Sequence, residues 1–245
     1  MNCKMNSTNE LKQKKAKKPN YFLYNLIKVT GLPVALLAFR PKYHFVGKTQ
    51  SNKIKGKAVA VSNHSGFFDP ILLMLAFWRR NMRFWATQDF FDRKSTRWLF
   101  KYFFKAIPVN KENLKLETVR ETITALKNNE LVAIFPEGTV NTEHPDEILT
   151  FKVGAALMAL KGDAPMISIY APRRTSPWRR QIVLMDDPIT LDEIMGRKAT
   201  RQDLQAISAY LQEKEKRLME RYQELYDEKG KLRKTPKKKV ESSKA

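Results

Sequence analysis

Residues 57–70 read KAVAVSNHSGFFDP. After Lys57, the residues Ala58 to Ser62 are small or β-branched, and the run Lys57 to Ser62 reads as a strand buried on both faces. The polar turn after it carries His64 and Asp69. Pro70 then opens an apolar stretch, PILLMLAFWRR, that reads as a helix to Arg80. Strand, loop and helix in that order form half of a βαβ unit, and the same alternation repeats downstream. Met82 to Thr87 is strand-like, Ser95 to Phe104 helical, and Ile107 to Val109 a short extended piece. Leu114 to Lys127 places Leu116, Val119, Ile123 and Leu126 at spacings of three and four, the period of a helix face. Leu131 to Phe135 is a buried strand, Phe151 to Leu160 a helix, and Met166 to Tyr170 and Gln181 to Met185 are strands. This pattern predicts an α/β domain whose mostly parallel central sheet is flanked by helices. A long C-terminal helix, 201–226, carries Leu204, Ile207, Leu211, Leu218, Tyr222 and Leu225 on one side, with Lys214 interrupting the stripe. We expect it to pack on its own domain rather than pair as a coiled coil.

The chain has 245 residues, enough for one sizeable core, and 42% of them are hydrophobic, a globular composition. Lys and Arg total 46 against 25 Asp and Glu, a formal charge of +21. An excess of that size implies an anionic partner: a lipid surface, a nucleic acid or an acidic protein. No recognisable nucleic-acid module accompanies it, so no specific nucleic-acid partner is expected. Cys3 stands alone, which forbids an internal disulfide and fits a reducing compartment. The basic, polar start lacks the small-residue cleavage site of a secretory signal.

Residues 1–19 read as a disordered basic tail, 20–41 as a membrane-surface helical anchor, 42–228 as the main domain with its C-terminal helix, and 229–245 as a second basic tail. The anchor sequence, YFLYNLIKVTGLPVALLAF over 21–39, is apolar and aromatic. Asn25, Lys28, Gly31 and Pro33 interrupt it, and Gly31 with Pro33 should break it into two short helices. An amphipathic, monotopic segment on the cytoplasmic face of the cell membrane is the expected address. A buried first helix and a full span are the alternatives.

His64 is one of three histidines and sits where ligands collect in open α/β sheets, beyond the carboxyl end of a strand. An imidazole there suits proton abstraction near neutral pH, and a carboxylate on its second nitrogen fixes the tautomer. Asp69, five residues on, can reach back. Two plainer readings remain open: Asp before Pro70 is an ordinary helix cap, and His64 an ordinary turn histidine. Phe135-Pro136-Glu137-Gly138-Thr139 closes a second strand with a tight turn suited to holding a polar ligand, or to nothing more than leaving the strand. There is no G-x-S-x-G nucleophile elbow and no Cys/His metal spacing. Gly47-Lys48-Thr49 lacks the upstream glycine of a P-loop.

Taken together, N-H-x-x-x-x-D after one strand and F-P-E-G-T after a later one resemble the glycerolipid acyltransferase family, that of the 1-acylglycerol-3-phosphate acyltransferases. The likeness runs over residues 42–187. It includes Ala106-Ile-Pro-Val109 and the FKVGAA stretch from Phe151 to Ala156. The resemblance implies the family's glycerol-3-phosphate acyltransferase-like fold and a one-step transfer without cofactor or metal. His64, oriented by Asp69, would be the general base. Glu137, Gly138 and Thr139 would shape the acceptor pocket. The donor would be acyl-CoA or acyl carrier protein, and the acceptor a lyso-lipid, first of all 1-acylglycerol-3-phosphate, in phospholipid biosynthesis.

The departures concern charge. Val140 stands where the family has arginine, and Val109-Asn110-Lys111 replaces its V-D-R. Its early second-block lysine falls near Thr87 or Gln88, and its fourth-block proline near Ser168. A phosphate in a partly dry pocket needs charged donors. Lys105, Lys111, Lys152 and Arg173 are the candidates to supply them. Otherwise the acceptor is a phosphate-free lyso-lipid, or the chain is a non-catalytic lipid-binding relative.

Overall fold

In chain order, the computed structural model begins with helix α1 (Phe22–Phe39) and strands β1 (Lys42–Phe45) and β2 (Ala58–Ser62). Helix α2 (Asp69–Ala76) and strand β3 (Met82–Thr87) follow. Two short helices, α3 (Asp89–Asp92) and α4 (Lys94–Trp98), run into a π turn at Leu99–Phe103 before β4 (Ile107–Val109). Helix α5 (Leu116–Lys127), β5 (Leu131–Ile134), α6 (Gly154–Gly162), β6 (Met166–Tyr170), β7 (Ile182–Met185), α7 (Leu191–Met195) and α8 (Leu204–Leu225) complete the set. The structure describes residues 21–48, 54–110, 113–141, 144, 147–172, 178, 180–227 and 230–233. The tail at 1–19, Cys3, Lys111 and Arg173 lie outside these, as does most of the C-terminal tail.

The seven strands form one sheet in the order β1-β7-β6-β2-β5-β3-β4. Every pairing is parallel except β6 with β7, so β1 and β7 run against the other five strands. The central strands β2, β5 and β6 are buried along their whole length. Helices cover both faces, which is why these strands are continuously apolar rather than alternating. One face holds α1, α2 and the π turn around Tyr24, Leu73, Phe84 and Phe104. The other holds α5, α6 and α8 around Leu126, Met158, Leu211 and Leu218. Since β2 lies between β5 and β6, the loops leaving β2 and β5 emerge side by side at the same carboxyl edge.

Strands β2 to β7 fall where the sequence places them, β1 is an addition that the sequence did not signal, and several helices shift. The helix expected from Pro70 to Arg80 stops at Ala76. That expected from Ser95 to Phe104 changes hand-off at Leu99 into the wider π turn, with Phe104 N–H bonded to the Leu99 carbonyl at 3.1 Å. The sequence reading passed over α7, although its capping box is legible: Thr190 Oγ1 accepts from Glu193 N–H at 3.2 Å and Glu193 Oε2 from Thr190 N–H at 2.7 Å.

The expected break at Gly31 and Pro33 does not occur; α1 is a single helix with Pro33 inside it. Tertiary packing overrides the lost hydrogen bond. Tyr24, Leu32 and Phe39 are buried in the domain core. The Tyr24 hydroxyl donates to the Met82 carbonyl at 3.2 Å, and Lys28 Nζ donates to the Arg80 carbonyl at 2.9 Å. Outward, α1 presents Phe22, Leu26, Val29, Val34, Leu36 and Leu37 to solvent. By length and composition it is able to cross a membrane.

Helix α8 buries Ile207, Leu211, Leu218 and Tyr222 against the sheet. Lys214 points off this stripe and pairs with Asp186 at 3.2 Å. The stripe's own polar member is Glu215, fully buried. Replacing Leu211 with Ala should lower unfolding free energy by about 2–5 kcal/mol in urea titrations. Gln205→Ala, on the exposed face, should change it by less than about 0.5 kcal/mol.

Candidate active site

The loop between β2 and α2 is pinned at both ends. Asn63, directly after β2, forms a two-way bridge with the backbone beyond β6: Nδ2 donates to the Ala171 carbonyl and Oδ1 accepts from Ala171 N–H, each at 2.9 Å. At the other end, Asp69 is the first helical residue of α2, with Pro70 behind it. Its carboxylate does not cap the helix. It turns back over the loop, and Oδ2 accepts from the Ser65 N–H and the Gly66 N–H, both at 2.8 Å. His64 Nδ1 meets the same oxygen at 2.9 Å. A carboxylate only accepts, so the shared proton sits on Nδ1 and Nε2 is left with its lone pair. Asp69 is buried; the His64 side chain keeps 19% of its surface exposed. Phe135 stacks on the imidazole at 4.2 Å and 18°, which fixes the second rotational freedom of the ring.

The loop after β5 docks on this one. Asn141 N–H donates to the His64 carbonyl at 2.7 Å, and the Gly138 N–H to the Phe135 carbonyl at 3.1 Å closes the Pro-Glu-Gly turn. Gly138 has φ +73°, and a side chain there would press on Lys152. The positive φ is what calls for glycine here, since the Lys152 side-chain end can give way. Lys152 is itself tied to the turn through its N–H and the Pro136 carbonyl at 3.0 Å.

A cavity of about 550 Å³ opens beside His64, beyond the carboxyl ends of β3 and β5. Its walls are mainly apolar: Phe84, Trp85, Phe90, Phe100, Phe104 and Leu157 among them. The polar side of its lining includes His64, Thr139, Asn110, Asp89, Arg93 and Lys152. Val140 also lines it. Trp85 is held by its indole N–H on Thr122 Oγ1 at 3.0 Å. No group of three or more His, Cys, Asp or Glu suited to a metal ion occurs among the described residues.

The residues singled out from sequence therefore divide. His64, Gly138, Thr139 and Lys152 share the cavity, and Asp69 stands directly behind His64. Glu137 does not line it. Its carboxyl group is buried behind the loop, near the His64 backbone N–H but out of hydrogen-bonding geometry with it. Burial, above all, pushes Glu137 up to about 7, with the charge of Asp69 adding to the rise and the His64 N–H opposing it. Lys105 does not belong to the site. It lies at the amino-terminal edge of the sheet, where its carbonyl accepts from Arg83 and its ammonium sits 5.4 Å from the Tyr21 ring. The β3–β4 register sends Lys105 to that edge. Lys111 and Arg173 are outside the described residues. Arg93 and Asn141 were not anticipated, and Asn63 entered only as the first residue of the N-H-x-x-x-x-D motif, without a role. Arg93 reaches the cavity only through the fold, whereas Asn63, next to His64 at a strand end, carried a local signal.

A family model described as Acyltransferase matches residues 42–171. A 1-acyl-sn-glycerol-3-phosphate acyltransferase of Bacillus subtilis (strain 168) is 32% identical to this chain over 111 residues, 44% of this chain and 52% of that protein. The chain thus matches about half the length of that curated relative. The crystal structure of the 1-acyl-sn-glycerophosphate acyltransferase from Thermotoga maritima is similar in fold, with a TM-score of 0.59 at 16% identity over 85% of this chain and 82% of that one.

Asp69→Ala should remove the carboxylate that accepts from the Ser65 and Gly66 N–H groups. Chemical denaturation should register a loss of about 1–3 kcal/mol. Nitrogen-15 NMR of the histidines should show His64 held with its proton on Nδ1, a preference that the variant loses.

Proposed function

The chain belongs to the acyltransferase family, and from that premise we propose that it transfers a fatty acyl group from a thioester to the free hydroxyl of a lyso-glycerolipid. The first-choice acceptor is 1-acylglycerol-3-phosphate, and the donor is acyl-CoA or acyl carrier protein. The observation that carries this reading is the 2.9 Å contact of His64 with buried Asp69 at the lip of an apolar cavity.

In the proposed reaction the acceptor hydroxyl lies against His64 Nε2. As its oxygen attacks the thioester carbonyl carbon, the hydroxyl proton passes to Nε2. Asp69 then faces an imidazolium that it stabilises. The tetrahedral intermediate collapses with cleavage of the carbon–sulfur bond, and the imidazolium returns its proton to the leaving thiolate. The products are an ester and a free thiol. Phe84, Phe100, Phe104 and Leu157 give the acyl chain an apolar bed, worth about 0.8 kcal/mol for each methylene buried. Gly138, Thr139 and Lys152 form the polar side toward the acceptor. Glu137 supports the loop from behind.

A membrane-surface address is supported by α1. Its outward apolar face continues at Trp178, 77% exposed, whose N–H is bonded to the Ala38 carbonyl at 2.7 Å. An apolar helix beside a strongly basic chain gives two additive signals for an anionic leaflet. We read the enzyme as monotopic on the cytoplasmic face.

A second reading, a phosphate-free lyso-lipid acceptor, is favoured by Val140, which brings an uncharged side chain to the cavity. An acceptor panel decides between the two, using lysophosphatidic acid, glycerol 3-phosphate and lyso-lipids lacking that phosphate, each with both thioester donors. His64→Ala should cut turnover by about 10²–10⁴-fold; full activity in that variant would refute the assignment. Lys152→Ala should raise KM for phosphate-bearing acceptors, and Val140→Arg should improve their use. Leu36→Glu with Leu37→Glu should weaken binding to vesicles containing anionic lipid, and unchanged binding would remove α1 from the membrane surface.

A further inference from the structure

Behind the His64 loop lies a carboxyl group that the proposed proton transfer leaves unused. Glu215, in the middle of α8, is 0% exposed. It stands in the apolar stripe between Leu211 and Leu218, where a leucine would satisfy packing alone. Neither of its carboxyl oxygens has a hydrogen-bond partner, and the same holds for both oxygens of Glu137. The two glutamates are close enough for Glu215 to feel the charge of Glu137. The Asn63 backbone N–H lies beside Glu215 and the His64 backbone N–H beside Glu137, so the pair spans the two residues that begin the catalytic loop.

Two ionised carboxylates in such surroundings would repel each other without solvent to screen them. No buried cation among the described residues relieves this. Lys214, the neighbour on α8, is paired with Asp186, and Lys152 lies beside Gly138 on the cavity side. The faces of α6 and β6 packed against α8 bury no charged side chain, and the polar groups from β6 are the buried hydroxyls of Ser168 and Tyr170. Asp69, whose charge also reaches Glu137, adds to the repulsion. A proton is the remaining counter-charge.

We propose that Glu215 is a positioning residue: a neutral acid that shares one proton with Glu137 and so holds the Asn63–His64 backbone in register with Asp69. Burial, joined by the charge of Glu137, pushes its carboxyl well above the usual range, with the Asn63 N–H opposing. At neutral pH the acid O–H of Glu215 donates to the carboxylate of Glu137, which gives one oxygen of each otherwise unsatisfied group a partner. The role lies outside residues 42–171, the stretch that the family model matches. The C-terminal helix thereby becomes part of the catalytic support.

The test rests in part on the acyl-transfer reading, so it includes a measurement independent of activity. In the full chain, Glu215→Gln retains a neutral donor, and Glu215→Leu removes it while keeping bulk. The leucine variant should lose at least about tenfold in kcat with little change in KM, while the glutamine variant stays within about threefold of the parent. Infrared spectra near neutral pH should show a protonated-carboxyl C=O band that Glu215→Gln removes. Stability should also respond to pH. The folded carboxyl keeps its proton above 4.5, where the unfolded chain releases it, so folding stability falls as pH rises from there. The glutamine variant should show a shallower fall. An unchanged infrared band in Glu215→Gln, full kcat in Glu215→Leu, or equal damage in both variants overturns the proposal. Absence of acyl transfer in the parent chain would overturn the functional reading instead, and the infrared comparison would still decide whether the proton is shared.

Discussion

Three donors converge on one carboxylate oxygen of Asp69: the His64 imidazole and the backbone N–H groups of Ser65 and Gly66. This small knot sets the path of the loop, the orientation of the ring and the start of α2 at once. A carboxylate at the first turn of a helix is also favoured by the helix dipole. The knot is stable only because strand and helix meet at a fixed angle, and that in turn depends on β2 being buried between β5 and β6. The parallel pairing of β2 with β5 then delivers the second loop beside the first, where Asn141 closes on the His64 carbonyl. Segments some seventy residues apart in sequence share one edge for this reason alone.

Polar and apolar chemistry are kept apart at that edge. The His64 imidazole lies at the rim, while aromatic side chains from β3, α3 and the π turn build the cavity behind it. The π turn matters here because its wider ladder redirects the chain at Leu99, and Phe100 and Phe104 both enter the cavity wall. On the same face of the sheet, α1 lays part of its surface into the core and leaves the rest apolar toward the exterior. An apolar-walled cavity and an apolar external helix thus belong to one layer of the molecule.

The opposite layer carries a different cost. A glutamate at the centre of a buried helix stripe opposes folding unless its charge is removed or matched. In this chain it stands beside a second buried carboxyl group and near the backbone of Asn63 and His64. Features that weaken a fold locally are commonly retained where they hold a site in shape. The placement of Glu215 fits that pattern better than it fits packing.

Most strand positions, strand burial and the two loop motifs were legible in the sequence because they are local. Runs such as KAVAVS and LVAIF leave no alternative to a covered strand, and each chemical residue follows one directly. Helix ends were less legible, since Pro33 and the Ser95–Phe104 stretch are governed by what they pack against rather than by their own propensity. Only the tertiary structure decided which charges meet. It sent Lys105 to the far edge of the sheet, brought Arg93 and Lys152 to the cavity, turned Glu137 inward and set Glu215 beside it. The physical reason is range: a strand or a turn is specified by neighbours along the chain, whereas the company a charged side chain keeps is fixed by strand order and register.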